Sequence, residues 1–319
     1  MCYLHSRSWE RGLLGPKCSL AHGATSSMLG TEMTGTSRKA SVCALSIDLE
    51  SFVHRSSHRE PGRVLDTECR KRLDQRYIEK ATLYILHLLE QHRRKVTFFV
   101  VSEIFDWYPD IVKRVAEEGH EIAHHTHTHT HLHTKQDLAT ELRQSWRFIR
   151  EFRPVGFRAP DASINAEQLK ILGEYGFEYD SSSFGNLNMS RTVFGLREIP
   201  VSTFGFFRRS SALHLPRDMT RTLLSGELPL GSGLFMSALG HGARVLPHVL
   251  ATQNEVPVLF IHPWQIVTHD DNLPIHEKGF LRRTASVLYS QTCQGSFIHL
   301  LTHFQTVRLR DLLHRFPTL

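Results

Sequence analysis

Between residues 120 and 133 the chain reads His120-Glu121-Ile122-Ala123-His124-His125-Thr126-His127-Thr128-His129-Thr130-His131-Leu132-His133. Imidazole is the side chain that most readily ligates divalent transition metals near neutral pH, so this density asks first for a metal ion. If the segment runs extended, His125, His127, His129, His131 and His133 share one face; if it curls into a helical turn, His125 and His129 stack four apart. In both cases His125 and His129 can converge on one ion. The competing reading is a low-complexity tract that scavenges metal loosely and catalyses nothing. The frame around the tract constrains the fold further. Gly119 reads as a helix stop, and Glu121-Ile122-Ala123 as the end of a buried strand. A strand that delivers histidines at its carboxyl end is the way α/β enzymes present ligands, and it predicts acidic partners on another strand.

The 319 residues are 40% hydrophobic and 22% charged, enough for one large core or two smaller ones. Cys2, Cys18, Cys43, Cys69 and Cys293 form no Cys-x-x-Cys pair and leave one over, which argues against a disulfide framework or a thiolate zinc site. Reduced thiols and a cytoplasmic protein are the expectation. A net charge of +6 and a pI near 9.2 would suit an anionic partner. The basic runs (Arg70-Lys71-Arg72, Arg93-Arg94-Lys95, Arg208-Arg209, Arg282-Arg283) are short, scattered and without interleaved aromatics, which suits a solvated surface better than nucleic acid. No stretch reaches the ~18 apolar residues of a membrane span. Residues 1–40 read as a flexible tail, with Met28 or Met33 as alternative starts.

Ser41 to Ile47 reads as a short buried strand ending in Asp48-Leu49-Glu50. Two apart, the acids point to one side, and a carboxylate pair at the tip of a core strand suggests a shared cleft. A helix follows from about Gln75 to His92, then a strand Val96–Val101, then a helix from Pro109 to Glu118 closed by Gly119. Thr134 to Asp137 forms a capping box and opens a helix to about Phe152. Val155 to Arg158 is a strand halted by Ala159-Pro160, which puts Arg158 on the rim with the acids and histidines. The helix from Asn165 to Tyr175 ends at Gly176, and Tyr179 leads to Asp180-Ser181-Ser182 at another strand tip. From Asn186 to Val256 the pattern weakens; Gly231-Ser232-Gly233-Leu234-Phe235 fails the phosphate-loop pattern and reads as a loop opening a helix. Pro257 to Ile261 is a clear strand delivering His262-Pro263-Trp264, and helices from about Glu277 to Tyr289 and Leu309 to Arg315 finish the chain. Regular alternation of strand and helix predicts a parallel sheet with helices outside it, a barrel or a doubly wound sheet.

The rim then holds Asp48, Glu50, His125, His129, Arg158, Asp180 and His262. Two imidazoles and one carboxylate leave coordination positions open on an ion for water or substrate. A second carboxylate can take the proton of that water, and a histidine across the cleft can protonate a leaving nitrogen, which amounts to amide hydrolysis without a covalent intermediate.

Ser46-Ile47-Asp48-Leu49-Glu50, His125-Thr126-His127-Thr128-His129, Arg158-Ala159-Pro160, Tyr179-Asp180-Ser181-Ser182 and His262-Pro263-Trp264 follow one another in the order seen in polysaccharide deacetylases with the NodB homology domain, carbohydrate esterase family four. The resemblance covers about residues 41 to 315, with core motifs in 41–184 and 257–264. It is closest to the subgroup associated with exopolysaccharide synthesis and exosortase systems, echoed by Glu198 to Thr203, Gly231 to Phe235 and Arg308 to Leu313. The resemblance implies a distorted (β/α) barrel of about seven strands over residues 41–319. It implies Asp48 as general base, Glu50, His125 and His129 as holders of a divalent ion (zinc first, cobalt or another as alternatives), Arg158 as the residue orienting the base, and His262 as general acid. The expected reaction removes N-acetyl groups from amino sugars of a polysaccharide or lipid-linked oligosaccharide. A hydrolase of a small cyclic amide or ureide using the same site, and a non-catalytic His-rich metal binder, are the alternatives. The chain departs from the pattern at Glu50, one place beyond the usual acid, at Ser51 and Asp161, and in the surplus His124, His127, His131 and His133.

Overall fold

The computed structural model describes residues 41–55, 66–186, 192–205, 218–269 and 291–314. The tail 1–40, the helix expected over 277–289 and Arg315 lie outside the described residues.

The central sheet has nine strands. Seven run parallel in the order β12 (Val258–Ile261), β1 (Val42–Leu49), β2 (Thr97–Val100), β3 (Glu121–His124), β4 (Gly156–Phe157), β5 (Tyr179–Asp180) and β8 (Leu196–Glu198). Antiparallel β7 (Thr192–Val193) ends the path, and β13 (Gln305–Val307) pairs in parallel with the start of β1. This is the expected curled, distorted barrel. Its ladder does not close on itself through main-chain pairing of β8 with β12. The chain beyond β5 and β8 instead pairs as β6 (Phe184–Gly185) with β9 (Val201–Ser202). The Ser202 hydroxyl then accepts from the Val258 amide at 2.9 Å, and Gly231 bridges the two sides, its N–H donating to Ser202 O and its carbonyl accepting from Phe260 N, both at 2.9 Å.

Period-two alternation sorts β1 onto two faces. Cys43, Leu45, Ile47 and Leu49 belong to the core beneath the helices, with Ile78, Ile85, Leu86 and Leu89 of helix α2 (Tyr77–Gln91). Ala44 belongs instead to the barrel interior with Phe99, Ala123, Tyr179 and Val258. Each Leu, Ile, Val or Phe among them, fully removed from water, contributes ~1.5–3 kcal/mol. Ser46 and Asp48 continue the inward row toward the carboxyl ends of the strands.

Helix boundaries differ from expectation where local geometry breaks a continuous pattern. Helix α1 (Thr67–Asp74) precedes α2, and both Gln75 and Arg76 between them are left-handed (φ 48° and 61°). Helix α3 (Glu103–Trp107) immediately follows β2 and leads into α4 (Pro109–Glu117), after which Gly119 is left-handed as a helix stop should be. The expected helix to Phe152 splits at Ser145 into α5 (Lys135–Gln144) and α6 (Trp146–Phe152); the Thr134/Asp137 capping box is present. Helix α7 (Ala166–Glu174) is capped by Asn165. The weakly patterned stretch contributes α8 (Met219–Leu224), α9 (Gly233–Ala238) and α10 (Leu246–Ala251), with β10 (Phe204–Gly205) and β11 (Glu227–Leu228) as a small antiparallel ribbon. Helix α11 (Gln294–His303) was not foreseen, and Leu309–Leu312 is a single 3-10 turn rather than the expected helix.

Candidate active site

Asp48 ends the inward row of β1, and a tight turn carrying the Glu50 amide back to the Asp48 carbonyl (2.9 Å) sets Glu50 beside it. Both carboxylates are buried. Arg158, just past β4, reaches into the barrel with its guanidinium between the rings of Phe99 (4.0 Å) and Phe260 (5.0 Å). It donates to Asp48 Oδ1 at 2.6 Å, Ser46 Oγ at 2.9 Å, Ser181 O at 2.9 Å and Ser181 Oγ at 2.8 Å. That grip leaves one face of Asp48, through Oδ2, toward His262 Nε2 at 4.0 Å.

His125 follows β3, and its Nδ1 lies 2.7 Å from the Arg158 carbonyl. A carbonyl only accepts, so Nδ1 carries the proton and Nε2 keeps the lone pair that ligates a cation. His129 returns to the same place by a turn that is neither of the two expected conformations. Thr126 and His129 are left-handed (φ 62° and 57°), and the His125 and His129 rings come to 5.0 Å at 72°. His129 Nε2 stands 2.9 Å from Glu50 Oε2, and one ligand atom each from Glu50, His125 and His129 lies within 4.8 Å of the others. That separation suits three donors around one ion. Glu50 Oε2 is buried at the space it shares with the two rings. A surface scavenging tract would hold these rings in solvent; His125 is 2% and His129 7% exposed.

Protonation states fit the same use. Burial, only partly offset by Asp48 and Glu50, pushes the His125 ring down to about 4, so it is neutral near pH 7 and ready to ligate. Burial would raise the Glu50 carboxyl, but the adjacent His129 and His262 hold it well below the usual carboxylate range. His262 lies across the cleft at the end of β12, stacked on Trp264 at 4.4 Å, its Nε2 3.2 Å from Glu50 Oε1. Gln265 fixes its tautomer. The Gln265 amide nitrogen donates to Gly233 O (2.8 Å) and Ser237 Oγ (2.7 Å), which turns Oε1 to accept from His262 N (2.9 Å) and His262 Nδ1 (3.1 Å).

The structure thus brings Asp48, Glu50, His125, His129, Arg158 and His262 together. Asp180 sits apart, bonded by Ser182 and facing Glu198, its register partner on β8. Burial and the neighbouring Asp180 push the Glu198 carboxyl well above its usual range, so it enters the pair as a neutral acid. Of the surplus histidines, His124 is buried against Ser145 Oγ (2.8 Å), His127 is 2.9 Å from Ser102 Oγ, and His131 pairs with half-exposed Asp161 at 2.9 Å and lies ring to ring with His133 at 5.8 Å. Ser51 is buried and donates to Asp74 Oδ1 at 2.5 Å, which ties the segment after β1 to α1. Sequence reasoning carried Ser181 only as part of the Tyr179–Ser182 motif and did not find Gln265 or the aromatic pair around Arg158; for Gln265 the one local signal is its place three residues after His262.

Residues 73–179 match the family model for polysaccharide deacetylase, an interval that includes His125, His129 and Arg158 but neither β1 nor His262. Over 101 residues the chain is 32% identical to a peptidoglycan-N-acetylglucosamine deacetylase of Bacillus cereus, covering 30% of this chain and 47% of that protein. Over 42 residues it is 50% identical to a chitooligosaccharide deacetylase of Rhizobium leguminosarum bv. trifolii, covering 13% of this chain and 20% of that protein. The chain therefore spans about half or less of the length of these relatives. Two solved structures share the fold over most of both chains. One, described as a probable polysaccharide deacetylase from Pseudomonas aeruginosa PAO1, has a TM-score of 0.54 at 13% identity, covering 87% of this chain and 92% of that one. The other, described provisionally as a polysaccharide deacetylase from Mycobacterium smegmatis, has a TM-score of 0.51 at 19% identity, covering 87% and 90%.

Proposed function

We propose that the chain, whose residues 73–179 match the polysaccharide deacetylase family model, hydrolyses the N-acetyl group of amino sugars in a polysaccharide or lipid-linked oligosaccharide, releasing acetate and a free amine. The observation that carries the proposal is the convergence of Glu50, His125 and His129 from β1 and the β3 turn, with Asp48 and His262 on the same cleft. The curated relatives named for peptidoglycan and chitooligosaccharide support an N-acetylated sugar as substrate. The resemblance to the exopolysaccharide-associated subgroup favours an extracellular polymer or its precursor among these. Cys43, Cys69 and Cys293 are free thiols, which supports a reducing, cytoplasmic setting. No helix among the described residues is long and apolar enough to cross a membrane.

Glu50, His125 and His129 would hold a divalent cation, zinc first, which when bound polarises the acetamide carbonyl and makes a water molecule more acidic. Asp48 takes the proton of the attacking water; Arg158, holding Oδ1, fixes the carboxylate in place. His262, with Nδ1–H bonded to Gln265, presents Nε2 to the cleft; as the imidazolium, protonated on both nitrogens, it gives the Nε2 proton to the leaving nitrogen as the carbon–nitrogen bond breaks and keeps the Nδ1 proton. Metal content and deacetylase activity on chitooligosaccharides and peptidoglycan fragments test this in the wild type, Asp48→Asn and His125→Ala. Asp48→Asn should keep its metal and lose roughly 10²–10⁴-fold in kcat. His125→Ala should lose both metal and activity. Activity persisting in both variants overturns the proposal.

A further inference from the structure

The turn that joins His125 to His129 does not hold itself together. Two of its residues, Thr126 and His129, sit in the left-handed region that residues other than glycine adopt only under strain. Its polar backbone groups are satisfied from elsewhere. The Thr126 and His127 carbonyls accept from the Ser102 and Glu103 amides (2.9 and 3.1 Å). On the opposite side, one carboxylate from α5 takes three donors: Glu141 Oε2 accepts from the His127 and Thr128 amides, each at 2.8 Å, and Oε1 accepts from the Thr128 hydroxyl at 2.9 Å.

Glu141 is 5% exposed and forms no ion pair among the described residues. A buried carboxylate is tolerable only when hydrogen-bonded, and here every bond it makes goes to the turn between the two ring ligands. Its helix is anchored independently by the Thr134 capping box and by Leu138 and Leu142 in their own apolar cluster. The Thr128 hydroxyl, shared between Glu141 and Thr130 Oγ1 at 2.8 Å, extends the grip along the tract.

We propose that Glu141 is a positioning residue for the cation site: it clamps the 126–128 turn so that His129 is delivered opposite Glu50 with His125 beside it. This rests on the metal site proposed above. Without the clamp, the left-handed residues relax, His129 swings off the ion, and affinity falls while Glu50, His125 and Asp48 remain in place. Outer-shell partners of metal ligands are typically worth 10–100-fold in affinity, and the same range applies here. Glutamine can repeat the pattern, its oxygen accepting the two amides and its NH₂ donating to the Thr128 hydroxyl oxygen, so the conservative variant rescues.

The experiment measures Zn²⁺ affinity by competition with a chromophoric chelator, and the visible spectrum of the Co²⁺-loaded protein, for the full chain and for Glu141→Ala, Glu141→Gln and Thr128→Val. Glu141→Ala should bind Zn²⁺ 10–100-fold more weakly with an altered Co²⁺ spectrum, Glu141→Gln should stay within about threefold of wild type, and Thr128→Val should fall between them. Wild-type affinity and spectrum in Glu141→Ala overturn this inference alone. Absence of a stoichiometric Zn²⁺ site in the wild type overturns the metal site itself. Should Glu141→Ala not fold, Thr128→Val decides, because it removes one leg of the clamp without touching the core of α5; an unchanged affinity there overturns the proposal.

Discussion

The carboxamide of Gln265 decides which nitrogen of His262 faces the carboxylates. With its NH₂ committed to Gly233 O and Ser237 Oγ, only its oxygen is left for His262, so Nδ1 must carry a proton and Nε2 is the atom turned to the cleft. Gln265→Leu removes that constraint at similar volume. We expect kcat to fall about 10–100-fold with metal content unchanged, the size of effect usual for partners that orient a working histidine. A KM change with kcat intact would mean that Gln265 shapes substrate binding instead. The variant also removes the oxygen that the His262 amide and Nδ1–H share, at about 1–3 kcal/mol for each buried donor that loses its acceptor. At this scale the site was legible only in part. Asp48, Glu50, Arg158 and His262 could be read because each follows a short apolar run, and a strand tip is a place with a known direction. Glu141 could not, since its partners lie on another segment and nothing local in α5 marks its single glutamate as facing a turn; for Gln265 the one local sign is its place three residues after His262.

Among elements, the least legible were those where a continuous helical pattern hides a break in the backbone. Gln75 and Arg76 look like ordinary helix formers, and only the packing of α1 through the Asp74 carboxylate, which takes bonds from Ser51, Tyr108 and the Ile78 amide, forces them left-handed. The strands were legible because inward and outward residues alternate on β1, because β12 is apolar throughout, and because β2 is apolar from Phe98 to Val100. What no pattern announced is how the barrel is bridged between β9 and β12. Gly231 stands where an added Cβ would meet Val258 O at 2.4 Å and Ser202 O at 2.9 Å, so the approach of the two sides depends on its missing side chain. Gly231→Ala must push those backbones apart, and overpacking of this kind costs about 1–3 kcal/mol. The urea midpoint should drop accordingly with an unchanged m-value. A midpoint equal to wild type would mean that the bridge yields at no cost.

Across the whole molecule, three interior histidines couple stability to pH. Burial holds His120 down to about 4, His124 to about 3 and His125 to about 4, the last partly offset by Asp48 and Glu50. Unfolded, each returns to the ordinary value near 6.5. Between about pH 6.5 and 4 the unfolded chain therefore binds protons that the folded chain refuses, and stability, complete above pH 6.5, is lost as the solution becomes more acidic. Glu103 adds to the loss at lower pH. Its burial would raise it, but hydrogen bonds from His54, Arg70 and Thr67 hold it down to about 2, so its contribution is present above the ordinary glutamate value near 4.5 and disappears as pH falls through 2. One differential proton corresponds to about 1.4 kcal/mol per pH unit, so three histidines give a slope approaching 4 kcal/mol per unit near pH 5 in protein kept free of metal by chelator. His124→Asn separates this from general destabilisation, because filling the site less well shifts the whole curve while removing the ring changes its slope. Urea unfolding at pH 7.5, 6 and 5 should show a slope shallower than wild type by about 1.4 kcal/mol per unit in the acidic limb, whatever the offset at pH 7.5. Parallel curves for the two proteins would show that His124 is not held neutral in the folded state, and the acid sensitivity of the fold would then have to be carried by the other buried groups, His54, His120, His125 and Glu103 among them.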